Sequence, residues 1–158
     1  SVMGQLFDYI EMKIPAKPEY IGVIRLTLSG IASRMGFMYE AIEDLKIVVS
    51  EAILNAIPYA YQKQGKGEMV IGFSLYHDRL ELMVAYRGQS FQSSDLKKEM
   101  CHLEQREGEF FREGGLGLYL IETLMDDVKI HHQEGVSVFM TKYLKREQVE
   151  RDAKTIST

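Results

Sequence analysis

The sequence predicts a two-layer α/β sandwich, a mostly antiparallel sheet covered on one face by helices. Three observations carry this. Hydrophobic periodicity gives the order β-α-α-β-β-polar segment-α-β-β, with helices clustered early and strands late. The strict βαβ alternation of a doubly wound parallel fold and a GxxxxGK[ST] phosphate loop are both missing from the string. The chain has 158 residues with 46% apolar and 27% charged content, enough for one sizeable core. Residues 1–6 read as an N-terminal extension, 7–144 as a single domain and 145–158 as a charged tail prone to fraying.

Each element has its own warrant. From Phe7 to Ile14, apolar and polar residues alternate as in a strand, and Pro15 and Pro18 punctuate its end. From Glu19 to Met35, apolar residues recur at Ile21, Ile24, Leu26, Leu28, Ile31 and Ala32, a helical pattern with Gly36 as its stop. Tyr39 to Tyr61 is a second helix, with Ile42, Leu45, Val48, Val49, Ala52 and Ala56 on one face; Pro58 is expected to disturb its last turn. Gly65-Lys66-Gly67 gives a turn, and strands Met69–Tyr76 and Leu80–Tyr86 flank His77-Asp78. Residues 90–113 are polar without a clean period, which suggests a lid or binding loop. Gly115 to Met125 reads as a third helix. Val128–His132 and Val136–Tyr143 close the domain as a hairpin around Gln133-Glu134-Gly135.

Composition excludes several functions. Nineteen Lys and Arg against 23 Asp and Glu give a net charge of −4, without the basic footprint of a direct nucleic-acid binder. No apolar run approaches the roughly 20 residues that span a membrane. One cysteine, Cys101, permits no intramolecular disulfide and fits a reducing cytoplasm. The start of the chain does not read as a signal peptide.

Three constellations can carry chemistry. Glu51 and Asn55 stand one helical turn apart in Ser50-Glu51-Ala52-Ile53-Leu54-Asn55-Ala56, so they share a face. A carboxylate and an amide so placed can accept a proton and ligate a hard cation such as Mg²⁺; they can equally be a solvated surface pair. Glu113-Gly114-Gly115-Leu116-Gly117-Leu118 opens a helix, where bare backbone and free amides can meet an anion, or simply make a tight turn. Ala85-Tyr86-Arg87-Gly88-Gln89-Ser90-Phe91 ends a strand just before the polar segment, with Gly88 at a turn. His131 and His132 are neighbours on a strand and point to opposite faces, so they do not chelate one metal. His102 is isolated, Cys101 reads as incidental, and Ser50 has no evident His and Asp partners.

In this order the three boxes resemble the GHKL (Bergerat-type) nucleotide-binding fold. Pro15–Tyr20, Ile24–Gly30, Glu43–Lys46, Gly114–Met125 and Met140–Leu144 narrow the resemblance to the anti-sigma-B serine-protein kinases of Bacillus-type bacteria, from Phe7 to about Val149. The resemblance implies a homodimeric partner switch. Such proteins sequester a sigma-B-type stress sigma factor and use ATP and Mg²⁺ to phosphorylate a serine of a STAS-type anti-anti-sigma protein. It implies Glu51 as general base and Asn55 as Mg²⁺ ligand. The backbone of Gly114, Gly115, Leu116 and Gly117 would hold phosphates, and Gly88 would lie in the nucleotide box. Thr141 would support adenine, Arg25 would contact sigma, and the polar segment would form the nucleotide lid.

The departures fall in the site. Where the family usually reads Val-Ala-Asp-x-Gly-x-Ser-Phe, this chain reads Val84-Ala85-Tyr86-Arg87-Gly88-Gln89-Ser90-Phe91. The aspartate that accepts from the adenine amino group is thus a bulkier, uncharged phenol. Where the family has Asn-Ala-x-x-His-Ala-Tyr, Asn55-Ala56-Ile57-Pro58-Tyr59-Ala60-Tyr61 has lost the histidine and gained Pro58. Two functions therefore stand: an ATP-dependent serine kinase and anti-sigma factor, or a pseudokinase binding module that keeps its partners without nucleotide.

Overall fold

The computed structural model describes residues 5–62, 67–87, 117–131 and 135–145. Among these, five strands form one sheet: β1 (Leu6–Pro15), β2 (Glu68–Tyr76), β3 (Arg79–Arg87), β4 (Asp127–His131) and β5 (Gly135–Tyr143). Their spatial order is β1-β2-β3-β5-β4, and every neighbouring pair is antiparallel. Helices α1 (Ile21–Met35), α2 (Tyr39–Gln62) and α3 (Gly117–Leu124) supply the second layer.

Strand parity assigns the faces. Met69, Ile71, Phe73 and Leu75 of β2 pair with Tyr86, Val84, Leu82 and Leu80 of β3, and all eight are buried. Val136, Val138 and Met140 of β5 continue that face. Against it the helices set Ile24, Leu28, Ile31 and Met35 from α1, Leu45, Val48, Val49, Ala52, Ile53 and Ala56 from α2, and Ile121 from α3. These helical positions recur at three and four, the spacing of a single core-facing stripe. Leu26 does not belong to the stripe: it is 77% exposed, because a residue two places from Ile24 turns about 200° around the helix. On the sheet's other face Tyr9 of β1 lies over Gly72 of β2, beside Met83 of β3.

The ends of the elements have local causes. The amide of Ala16 donates to the carbonyl of Gly67, tying the exit of β1 to the entry of β2. The first turn after β1 is a 3₁₀ turn over Pro18–Tyr20, and the α-helix begins at Ile21 rather than Glu19. Proline suits that opening because its fixed φ and missing donor cost nothing there. Gly36 takes φ 94°, the left-handed conformation, and the Phe37 amide reaches back to the Ala32 carbonyl at 3.0 Å, which closes α1 in a Schellman-type cap. Pro58 does not end α2, which continues to Gln62. At the β2–β3 turn, Arg79 pairs with Asp78 at 2.8 Å and lies 3.7 Å over the Tyr76 ring. The Asp78 carbonyl takes the Leu144 amide at 2.9 Å, anchoring the end of β5.

Gly30 lies exposed inside α1, and a Cβ there would meet nothing within 4 Å. Gly30→Ala therefore removes backbone entropy from the unfolded chain without a clash. It is expected to raise unfolding stability by about 0.5–1 kcal/mol in urea titrations.

Candidate active site

The polar end of the helix layer is built by α2 and α3. Glu51 and Asn55 sit one turn apart on α2, as their spacing requires. Asn55 is only 6% exposed, and Glu51 is half-buried. The Asn55 Nδ2 donates to the Glu51 carbonyl at 2.7 Å, back-bonding along its own helix. That bond uses the amide's donor side and leaves Oδ1 as the atom available to a cation. Opposite stands Gly117, the buried first residue of α3. An ideal Cβ on Gly117 would lie 2.8 Å from Asn55 Nδ2 and 3.6 Å from Glu51 Oε2. Any side chain at Gly117 would thus meet both residues, and the first-turn amides of a helix lack intrahelical partners. The Glu51 carboxylate, the Asn55 amide and the start of α3 lie together here.

Tyr86 lies on the helix-facing side of β3, between Met69 of β2 and Val136 of β5. It is 3% exposed, and its hydroxyl is buried without a hydrogen-bond partner among the described residues. Desolvation by burial raises its pKa above the usual 10, so the phenol is neutral at physiological pH. Its row is apolar: Met69 and Val136 are both buried beside it.

Thr141 does not join this row. It pairs with Glu81 and Asp127 on the sheet's opposite face, and its carbonyl takes the Asp126 amide at 2.9 Å. Tyr86 pairs with Val136, five residues away along β5, about 16 Å at strand rise. The residue beside Tyr86 on its own face is Val136, a position sequence reading missed. Only the pairing register reveals it, because a shift of one residue exchanges the faces. Lys142, by contrast, does reach the helix layer and donates to the Leu124 carbonyl at 2.7 Å, capping the end of α3.

Arg25 is exposed on α1, flanked by Val23 and Leu26, which are 47% and 77% exposed. Ser50 donates its hydroxyl to the Lys46 carbonyl at 2.7 Å and is spent on its own helix. His131 packs edge-on against Phe139 at 5.1 Å. Gly65, Lys66, Gly88, the polar segment 90–113 with Cys101 and His102, Gly114, Gly115, Leu116, His132, Gln133, Glu134 and the tail beyond Lys145 lie outside the described residues. Among the described residues no three His, Cys, Asp or Glu side chains are grouped to hold a metal. No described helix is long and apolar enough to cross a membrane.

The histidine kinase-like ATPase domain family matches residues 14–142. A protein of Oceanobacillus iheyensis named serine-protein kinase RsbW is 57% identical over 96% of this chain and 97% of its own length. Proteins of the same name from Bacillus cereus and Listeria monocytogenes are each 54% identical over 99% of this chain, covering 98% and 100% of their own lengths. The chain belongs to the RsbW family of serine-protein kinases. Two solved structures share the fold. A Mycobacterium tuberculosis protein with RsbU and RsbW domains superposes with a TM-score of 0.60 at 18% identity, over 86% of this chain and 32% of that one. A chain of the SiaB–SiaC complex of Pseudomonas aeruginosa gives 0.54 at 13% identity, over 85% and 88%.

The RsbW fold implies ATP, and this chain fits it in one half of the site. Asn55 Oδ1, Glu51 and the start of α3 suit a cation and phosphate oxygens. In the half where the resemblance expects the base, Tyr86 is a neutral, buried phenol with no hydrogen-bond partner among the described residues.

A buried hydroxyl with no partner among the described residues has a measurable cost. Tyr86→Phe is expected to stabilise the ligand-free protein by about 1 kcal/mol in denaturant titrations. Because the folded pKa is raised, the wild-type protein's contribution from this group is complete below pH 10 and is lost as pH rises beyond it, when the unfolded phenol ionises first. The Phe variant should lack that part of the alkaline decline.

Proposed function

We propose that this chain is an anti-sigma factor and ATP-dependent protein serine kinase. It sequesters a sigma-B-type general stress sigma factor and phosphorylates a serine of a STAS-type anti-anti-sigma protein, acting as a cytoplasmic homodimer. The observation that carries the reading is the convergence of Glu51, Asn55 and Gly117 at the junction of α2 and α3. The identity with RsbW proteins over nearly the whole chain supports it.

The roles follow from phosphoryl transfer, which needs position and charge neutralisation more than covalent help. Glu51 takes the proton of the substrate serine as its oxygen bonds to the γ-phosphorus and the bond to the β-phosphate bridging oxygen breaks. Asn55 Oδ1 would hold Mg²⁺, which when bound would supply charge neutralisation for the phosphates. As the resemblance implies, Gly114, Gly115, Leu116 and Gly117 would offer backbone amides to phosphate oxygens, and Gly88 would belong to the nucleotide box. The exposed run Val23, Arg25 and Leu26 on α1 supplies an apolar contact with one positive charge for sigma. Thr141 lies on the face opposite Tyr86, which argues against its supporting adenine there, and Val136 is the β5 residue paired with Tyr86.

Glu51→Gln is expected to lower the rate of STAS-protein phosphorylation by a factor of about 10²–10⁴. Calorimetric Mg·ATP affinity should stay within about threefold, since the carboxamide keeps the shape and loses only the base. An equal loss of binding and rate would remove Glu51 from that role.

One observation favours a second reading, a pseudokinase that binds sigma or the STAS protein without nucleotide: the buried Tyr86 hydroxyl, which has no partner among the described residues and lies in an apolar row. Titration with Mg·ATP separates the two. Micromolar binding supports the kinase. Failure of wild-type binding with recovery in Tyr86→Asp supports the pseudokinase and assigns the loss to Tyr86.

A further inference from the structure

We propose that Gly117 is a positioning residue: the space left by its missing Cβ seats the Asn55 amide and so fixes which atom of Asn55 faces the cation. The inference rests on the reading of Asn55 as the Mg²⁺ ligand.

Glycines at other helical positions have room to spare. A Cβ on Gly22 or Gly30 would meet nothing within 4 Å. At Gly117 it would fall 2.8 Å from Asn55 Nδ2 and 3.6 Å from both Asn55 Cγ and Glu51 Oε2. The first distance is shorter than real Cβ atoms tolerate, so something must move. Asn55 is poorly placed to move. It is 6% exposed, and its Nδ2 is held at 2.7 Å by the Glu51 carbonyl. Turning the amide over would set Oδ1 against that carbonyl, acceptor against acceptor, and would present the NH₂ group to a cation. The alternative is that α3 lifts away, carrying its first-turn amides with it. Either response degrades the ligand set without touching a ligand atom. The glycine thus joins α3 to the cation-binding face of α2, a role separate from any phosphate contact of its own backbone.

The test uses the full chain and four variants: Gly117→Ala, Asn55→Ala, the double variant, and Gly30→Ala as the control glycine. In the ligand-free protein, the Asn55 side-chain NH₂ resonances are identified by their loss in Asn55→Ala. They should shift in Gly117→Ala and exchange with solvent about tenfold faster, while Gly30→Ala leaves them in place. Gly117→Ala should lower Tm in the wild-type background and much less in the Asn55→Ala background, where the obstructing amide is gone. With ATP present, the Mg²⁺ concentration for half-maximal nucleotide binding should rise about tenfold in Gly117→Ala, the scale of a ligand-orienting contact. Binding in EDTA should change less than twofold. Unmoved Asn55 resonances, an equal Tm loss in both backgrounds, or an unchanged Mg²⁺ requirement overturns the proposal. If Gly117→Ala does not fold, recovery of folding in the double variant supports it and failure of both overturns it. If Asn55→Ala itself leaves the Mg²⁺ requirement unchanged, the ligand reading of Asn55 fails. If that requirement shifts and Gly117→Ala is silent, only the role of Gly117 falls.

Discussion

The register of β3 against β5, with Tyr86 opposite Val136 and Leu82 opposite Met140, decides which side chains lie beneath the helices. An antiparallel sheet covered on one face has no freedom here. Moving the pairing by one residue would expose Leu80, Leu82, Val84 and Tyr86 together and bury Glu81. The three helices follow from that choice, because their apolar stripes have one surface to cover. The site follows too, since α2 and α3 meet over the sheet in the one orientation that buries Leu45, Val48, Ala52 and Ile121.

Two kinds of environment meet in that layer. Where α2 meets the start of α3, polar atoms are kept close by backbone: an asparagine bonded to its own helix and a glycine with no room for a methyl group. At the Tyr86 row, the neighbours are Met69 and Val136, and the one polar atom has no partner among the described residues. A buried hydroxyl without a partner forfeits its hydration, a cost that the fold bears in the ligand-free state. The α2–α3 junction is thus polar, while the Tyr86 row is apolar. Tyr86 and Val136 are cross-strand neighbours and form one local patch. Cross-strand neighbours share an environment, and the free energy of either depends on the other.

Much of the fold was legible in the sequence. The β-strands from Phe7, Met69, Leu80, Val128 and Val136 and the helix beginning at Tyr39 lie within a residue or two of their observed bounds, because strand alternation and helical spacing are local signals. The Gly36 stop was equally legible, since only a residue tolerant of positive φ closes a helix that way. Leu26 was misplaced because an apolar residue on a helix can face solvent, and spacing with its neighbours is the only local guide. Glu51 and Asn55 were found together because four residues is one turn.

The sequence by itself determined the element order, the two-layer class, the Glu51–Asn55 pair and Tyr86 at the position where the resemblance leads one to expect an aspartate. Each depends on residues close in the chain or on the identity of one residue. Tertiary structure alone decided that Thr141 faces away from Tyr86, that Val136 stands beside it, and that Gly117 rests on Asn55. Those facts arise from strand register and helix seating, where residues 50 to 62 positions apart are brought together by burial of a shared core. No local periodicity encodes which of two alternating residues will find itself beside a given partner on another strand.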